Sequence, residues 1–397
     1  MKLSKRLQAV KPSATLAIDA KAKSLQSAGI DVVSYGAGEP DFDTPLHIKK
    51  AAIAAIKQGF TKYCPVSGTA DLKDAIIKKF AKDSGVSYTP DEIIVSCGAK
   101  HSLYNLFQTI LDDGDEIIIP APYWVSYPDI AYLAGAVPVI IQTSEHNGFK
   151  ITPEDIKKAV TKKTKAIVIN SPSNPTGSTY TKEELTAVVK QCLQSNIFIV
   201  ADEIYEKLVF DNFDFCSVAS TVPEAKDHAA IINGVSKAYS MTGWRVGYTA
   251  APKEIVSAMT KIQSQSTSNP TSIAMKAAVQ AISGKQTNVA AMRKEFQKRR
   301  DYIVERLNSV KGITCLKPTG AFYVFPNVSG LIGKTFEGEV ISNDMKLVEL
   351  LLEKALIAVV PGSAFGAEGF MRLSYAYSME NIKKGMDRLE VFVSKLT

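Results

Sequence analysis

Between residue 46 and about residue 290 the chain alternates short apolar runs with stretches of helical period, and no other feature narrows its fold as much. "EIIVSC" (92–97), "DEIIIP" (115–120), "KAIVIN" (165–170), "NIFIVAD" (196–202), "AAIING" (229–234) and "RVGYTA" (245–250) have the length and composition of strands. Most show no polar alternate face, so both sides are buried. Between strands, 99–111 and 181–195 repeat apolar residues at helical spacing. The second opens with Thr181 and Glu184 in capping-box register. The alternation predicts an α/β fold with a mainly parallel, doubly wound sheet between helices.

Past residue 290 the texture changes to a long charged helix (292–310) and two shorter strand signals, "GAFYVFP" (320–326) and "ALIAVVPG" (355–362). These predict a smaller α+β domain over 291–397, a large domain over 46–290, and residues 1–45 as an N-terminal arm and part of the small domain. A chain of 397 residues, 46% hydrophobic, is long enough to fill two cores. No apolar run approaches the roughly eighteen residues of a membrane span. The formal charge of +7 is spread among acidic residues, without the basic block of a nucleic-acid arm. The start, "MKLSKRLQAVKPSATLAIDAK", is basic but lacks the uninterrupted apolar core of a secretory signal. Five scattered cysteines and four dispersed histidines point to reduced thiols, a cytoplasmic setting and no metal site.

In open α/β sheets ligands gather at the carboxyl ends of the strands. After 92–97 stands Gly98-Ala99-Lys100 at a helix start, where exposed amides suit a phosphate, unless the glycine serves the turn alone. After 165–170, "SPSNPTG" (171–177) sets Asn174 in a proline-stiffened loop, as a ligand or as part of an ordinary turn. Asp202 ends its apolar strand, where a buried carboxylate needs a cation or hydrogen bonds, or else caps a helix. Tyr205 follows one helical turn later. Lys237, in "NGVSKAYSMTGWRVGY" (233–248), stands among small and hydroxyl residues, with Arg245 eight positions on. It is either a solvated lysine or an amine of lowered pKa able to act as nucleophile or base. Together these sites describe a ligand with a phosphate, a nitrogen that becomes cationic beside a carboxylate, and a carbonyl that lysine can capture. Pyridoxal 5′-phosphate has all three.

At this point the chain resembles the class I aminotransferases of the fold-type-I pyridoxal-phosphate family, most of all the bacterial aspartate aminotransferases and aspartate/prephenate aminotransferases. The resemblance runs from "PSAT" (12–15) and "GAGEPDFDTP" (36–45) through "SPSNPTG", "ADEIYE" and "SKAYSMTGWRVG" to "VVPGSAFG" (359–366) and "MRLSYA" (371–376). It implies Lys237 as the Schiff-base lysine and Asp202 as partner of the ring nitrogen. Asn174 and Tyr205 would bond the ring hydroxyl, and Trp124 would stack on the ring. The phosphate would sit on Gly98, Ala99 and Lys100 with Arg245 as clamp. Arg372 would grip the substrate α-carboxylate, with Gly38 beside it. Lys11, Ser13 and Thr15 would lie in the segment that closes over the substrate. Tyr63 would reach the phosphate of a neighbouring subunit and Ser268 and Asn269 would line the boundary, so a homodimer with shared sites is implied.

Two departures stand out. The family often has a serine where this chain has Gly234, which leaves the phosphate hydroxyl to Ser236. Many aspartate aminotransferases place an arginine before the "SNP" segment for the distal carboxylate, whereas "QSQSTSNP" (263–270) has none and leaves that task to Lys100. The resemblance implies amino transfer from aspartate to 2-oxoglutarate. An alanine-, aromatic- or prephenate-preferring relative and a lyase of cysteine conjugates are the alternatives. A cofactor-sensing transcription regulator would need a DNA-binding domain, and the motifs begin near residue 12.

Overall fold

The computed structural model describes residues 4–10, 12 and 14–397. Lys11 and Ser13 lie outside the described residues. Seven strands form the central sheet: β1 (Ile93–Ser96), β2 (Glu116–Ala121), β3 (Val137–Gln142), β4 (Thr164–Asn170), β5 (Phe198–Asp202), β6 (Ala229–Gly234) and β7 (Gly247–Ala250). Their order is β1-β7-β6-β5-β4-β2-β3. All neighbours are parallel except β7, which runs antiparallel to both β1 and β6.

Both faces of the sheet are covered. Ile93 and Val95, Ile167 and Ile169, and Ile231 belong to one apolar layer, while Ile94, Val168 and Ile232 belong to another. Successive side chains of one strand enter opposite layers, so a run without polar alternation is what a helix-sandwiched sheet requires. The Thr181 cap forms as expected: Glu184 N–H donates to the threonine hydroxyl at 3.3 Å and the Glu184 carboxylate accepts from Thr181 N–H at 2.8 Å.

The sheet differs from the sequence reading in two places. Strand β3 was not anticipated. It is an edge strand, partly exposed along its length and carrying Pro138, so its pattern is neither alternating nor continuous. The run beginning at Arg245 forms a strand only from Gly247, and that strand is antiparallel. A direct return between antiparallel neighbours needs no crossover helix. The connection is the stretch 235–246, which holds Lys237 and, one residue from its end, Arg245 with φ of 54°.

A second core lies beside the sheet. It gathers Phe296, Ile303 and Leu307 of the helix Thr287–Ser309, Leu347 and Leu351 of Asp344–Lys354, and Ile382, Met386 and Leu389 of Met379–Ser394. Its small sheet comprises β8 (Tyr323–Val324), β9 (Val360–Pro361) and β10 (Met371–Ser374), in the order β9-β10-β8. Val33–Ser34 pairs in parallel with Ile357–Ala358, which ties the N-terminal segment to this core. Tyr205, Leu208 and Phe210, just past β5, are packed into it as well. The carboxyl end of β5 therefore meets β8 and β10. Among the described residues no helix is long and apolar enough to cross a membrane.

Candidate active site

A cavity of about 360 Å³ opens where the strand ends of the large sheet meet the second core. Asp202, 4% exposed, closes its floor at the tip of β5. Its carboxylate accepts from the Tyr127 hydroxyl at 2.7 Å and from Ile204 N–H at 3.3 Å. Burial pushes the carboxyl above its ordinary range against the pull of those bonds. A cationic nitrogen here would restore the charged form.

The half-buried Lys237 side chain donates to Gly38 O at 2.5 Å. Burial and the Arg372 guanidinium push its ammonium down to about 8. The neutral amine, the form that attacks a carbonyl, is thus far more accessible near neutral pH than that of an ordinary lysine.

Arg372 is 2% exposed. It donates to Asn174 Oδ1 at 3.1 Å and Gly36 O at 2.6 Å, and its guanidinium lies 4.7 Å from the Tyr323 ring centre and 5.1 Å from that of Phe365. Its Nε is buried without a hydrogen-bond partner, and it makes no ion pair among the described residues. Such a guanidinium awaits an anion. Asn174 is held from behind by Asn170, whose Oδ1 accepts from Asn174 N–H at 2.8 Å.

Helix α1 (Ala99–Ile110) points its N-terminus at the same space, with Gly98 as the residue before it at φ of 86°. A side chain on Gly98 would collide with the Arg245 guanidinium, and one on Gly247 with the Ala99 amide. Two glycines thus bring β7, the Arg245 loop and the helix start together, leaving amides beside a guanidinium. That is a cradle for a phosphate. Arg245 itself is exposed, with Nη1 donating to Thr242 O at 2.7 Å. Ser236 lines the cavity and can offer a hydroxyl. At Gly234 a Cβ would stand 2.9 Å from Val246 O, so as the backbone lies there is no room for a serine at this position.

Lys100 lies at the cavity edge with Nζ 4.9 Å from the Trp124 ring centre, and burial of its stem together with Arg245 lowers its pKa. Trp124 also meets Tyr127 edge-on at 5.3 Å. Tyr205, 3% exposed, shares a hydrogen bond of 2.8 Å with the Tyr323 hydroxyl. Thr15 lines the cavity with its hydroxyl buried and without a hydrogen-bond partner among the described residues. Tyr63 is not brought to this cavity: it is 92% exposed. Its neighbour Cys64 nevertheless receives the Asn269 side chain, with Cys64 N–H donating to Oδ1 at 3.3 Å. The two segments expected at a subunit boundary therefore adjoin one another.

Three contributors were not singled out from the sequence. Asn170 ends β4 as Asp202 ends β5, and the same signal of a polar residue closing an apolar strand would have found it. Tyr127 follows Trp124 at helical spacing. Tyr323 sits in an apolar strand and carries no such signal.

The cradle, the buried carboxyl wanting a cationic partner and the lysine of lowered pKa suit pyridoxal phosphate. The comparisons agree with this geometry. The family model for aminotransferase class I and II matches residues 30–389. An aspartate aminotransferase of Geobacillus stearothermophilus is 53% identical over 99% of both chains. An aspartate/prephenate aminotransferase of Nitrosomonas europaea is 49% identical over 99% of this chain and 100% of its own. The solved aspartate aminotransferase of Rhizobium meliloti superposes with a TM-score of 0.97 at 42% identity, covering 100% of both chains. The chain belongs to the class I and II aminotransferases, pyridoxal-phosphate enzymes of fold type I.

Proposed function

We propose that this aminotransferase moves the amino group of L-aspartate to 2-oxoglutarate, giving oxaloacetate and L-glutamate, in the cytoplasm and as a homodimer. The observation that carries the reading is Arg372, a buried guanidinium with no ion pair among the described residues, facing a cavity that also holds Lys100. Two cationic groups suit a substrate with two carboxylates. The names of the Geobacillus and Nitrosomonas relatives support aspartate. The second name also favours prephenate as an additional partner, another acid with two carboxylates.

Bound in this cavity, pyridoxal phosphate supplies an aldehyde for a primary amine and a cationic ring that takes up the electron pair left when the substrate α-carbon loses its proton. Asp202 would keep the proton on the ring nitrogen. Asn174 and Tyr205 would bond the ring hydroxyl, Trp124 would cover the ring, and Ser236, Arg245 and the Gly98–Lys100 amides would hold the phosphate. Lys237 would hold the group through its aldehyde, and its amine is placed to take and return the proton at the substrate α-carbon. Arg372 grips the α-carboxylate in a planar, two-bond geometry beside Gly38, and Lys100 receives the distal one. Residues 46–290 would carry the cofactor. Residues 291–397 with the N-terminal segment, including Lys11, Ser13 and Thr15, would close over the substrate and exclude water. Tyr63, Ser268 and Asn269 would complete the site of a second copy.

Borohydride reduction of the pyridoxal-phosphate-loaded protein followed by peptide mapping should label Lys237. Label on any other lysine overturns the assignment. Steady-state comparison of aspartate, glutamate, alanine, phenylalanine and prephenate should rank aspartate first among amino donors, and an alanine or phenylalanine preference would replace that substrate reading.

A further inference from the structure

Tyr323 stands where three parts of the site meet, and no role in the steps above requires it. Its strand β8 pairs antiparallel with β10, with Ser374 opposite Tyr323. Arg372, two residues from Ser374, therefore points to the same face, and its guanidinium lies 4.7 Å from the Tyr323 ring centre. At the far end of the ring, the hydroxyl is 2.8 Å from the Tyr205 hydroxyl. The same hydroxyl would be 2.7 Å from a Cβ on residue 38, so it fills the space that Gly38 leaves open, beside the carbonyl that accepts from Lys237. Tyr323 is 1% exposed and lines the cavity.

We propose that Tyr323 is a positioning residue that couples the two halves of the site: its ring holds the substrate-gripping Arg372, and its hydroxyl orients Tyr205 against the cofactor. The physical case rests on what each group lacks. Among the described residues Arg372 has no carboxylate in ion-pair distance and two aromatic faces around it, and a desolvated guanidinium gains most from such a face. Tyr205 is buried, and among the described residues its hydroxyl has this one hydrogen-bond partner. Without Tyr323 that hydroxyl would be free to turn away from a ring ligand or be left unsatisfied. The inference rests on the cofactor-binding reading above, and its test separates the two.

The test uses the loaded enzyme and two readouts besides turnover. Maleate, an unreactive dicarboxylate, reports the grip by titration calorimetry. The pH titration of the cofactor absorbance band reports the Tyr205 side and needs no substrate. Tyr323→Phe keeps the ring, so maleate affinity should stay within about threefold of the parent, while the spectral midpoint moves by roughly half a pH unit or more, the size of one net hydrogen bond. In a Tyr205→Phe background the same change should have no further spectral effect. Tyr323→Leu and Tyr323→Met, two replacements so that one misfolded variant does not close the test, should weaken maleate roughly tenfold or more. Unchanged maleate affinity in a folded Leu or Met variant overturns the ring half, and additive spectral effects of Tyr323→Phe and Tyr205→Phe overturn the hydroxyl half. A parent enzyme that takes up cofactor but binds no maleate counts against the acidic-substrate reading instead, and the spectral cycle still decides the coupling.

Discussion

Two enclosed lysines lie on either side of one short turn, and their environments drive them in opposite directions. Burial disfavours the charge of both. At Lys79, whose side chain is 6% exposed, the Glu206 carboxylate at 2.5 Å and Asp83 at 3.6 Å outweigh burial and raise the pKa. At Lys237 the nearest partner is a neutral carbonyl, and Arg372 adds to burial, so the pKa falls to about 8. The turn between them faces both ways. Asp202 and Tyr205 look into the cavity, whereas Glu203 and Glu206 look into the floor beneath it. There Glu203 accepts from Ser217 and Val218, and burial pushes it up to about 8. A buried cation supplied with its counter-ion is structure. One left without it is available for a ligand.

The sharpest break of this contrast is at the level of turnover. Lys237→Ala should lower transamination by more than about a thousandfold, since both capture of the carbonyl and proton transfer are lost. Stopped assays with aspartate measure it, and retention of more than a few per cent of the rate would place the base elsewhere. Lys79→Met should do the reverse. Stranding Glu206 without its cation should lower the unfolding free energy by about 3–5 kcal/mol in urea titration, and adding Glu206→Leu should restore much of it. No loss in the single variant would mean that the pair is dispensable.

The pH dependence of the apoprotein sharpens the comparison further. A lysine whose folded pKa lies below its unfolded value leaves the unfolded chain binding more protons between the two. Wild-type stability should therefore rise as pH climbs from about 8 toward 10.5 through Lys237. Relative to Lys237→Ala, the gain should approach about 3 kcal/mol, and parallel stability curves for the two proteins would refute the lowered pKa. Lys79 has the opposite sign: its contribution is present below the unfolded pKa and fades as pH rises through its raised folded value. The smallest effect concerns a third lysine. Lys100→Ala should weaken aspartate roughly tenfold more than alanine in kcat/KM, the value of one charge-assisted bond. Equal losses for both substrates would assign Lys100 to the phosphate or to packing.

Asp202 was legible because it closes an apolar strand, a placement that costs free energy unless something uses it, and Lys237 because it stands among small and hydroxyl residues just beyond the next strand. The same logic covers Asn170, which went unremarked only because the adjacent "SPSNPTG" drew the reading to Asn174. Tyr127 and Tyr323 were not legible. An aromatic residue within an apolar stretch reads as core, and nothing local shows that Tyr127 will meet Asp202 or that Tyr323 will meet Tyr205 and Arg372. Strand β3 escaped because an edge strand with a proline and partial exposure has no clear period. The direction of β7 escaped because apolar pattern carries no sign.

Local pattern by itself determined the layered α/β character, the glycine turn into a helix start at Gly98 and the set of polar residues at the strand ends. These follow from burial and turn chemistry within a few residues of each site. Tertiary structure alone decided which of those residues share one cavity, because that depends on strand order and on the antiparallel return that swings Lys237 and Arg245 over the sheet. It also decided the charge state of each lysine. Lys79 and Lys237 are the same side chain, and burial aside, neighbours more than a hundred residues away, Glu206 for one and Arg372 for the other, make one an ion-pair partner and the other an amine of lowered pKa.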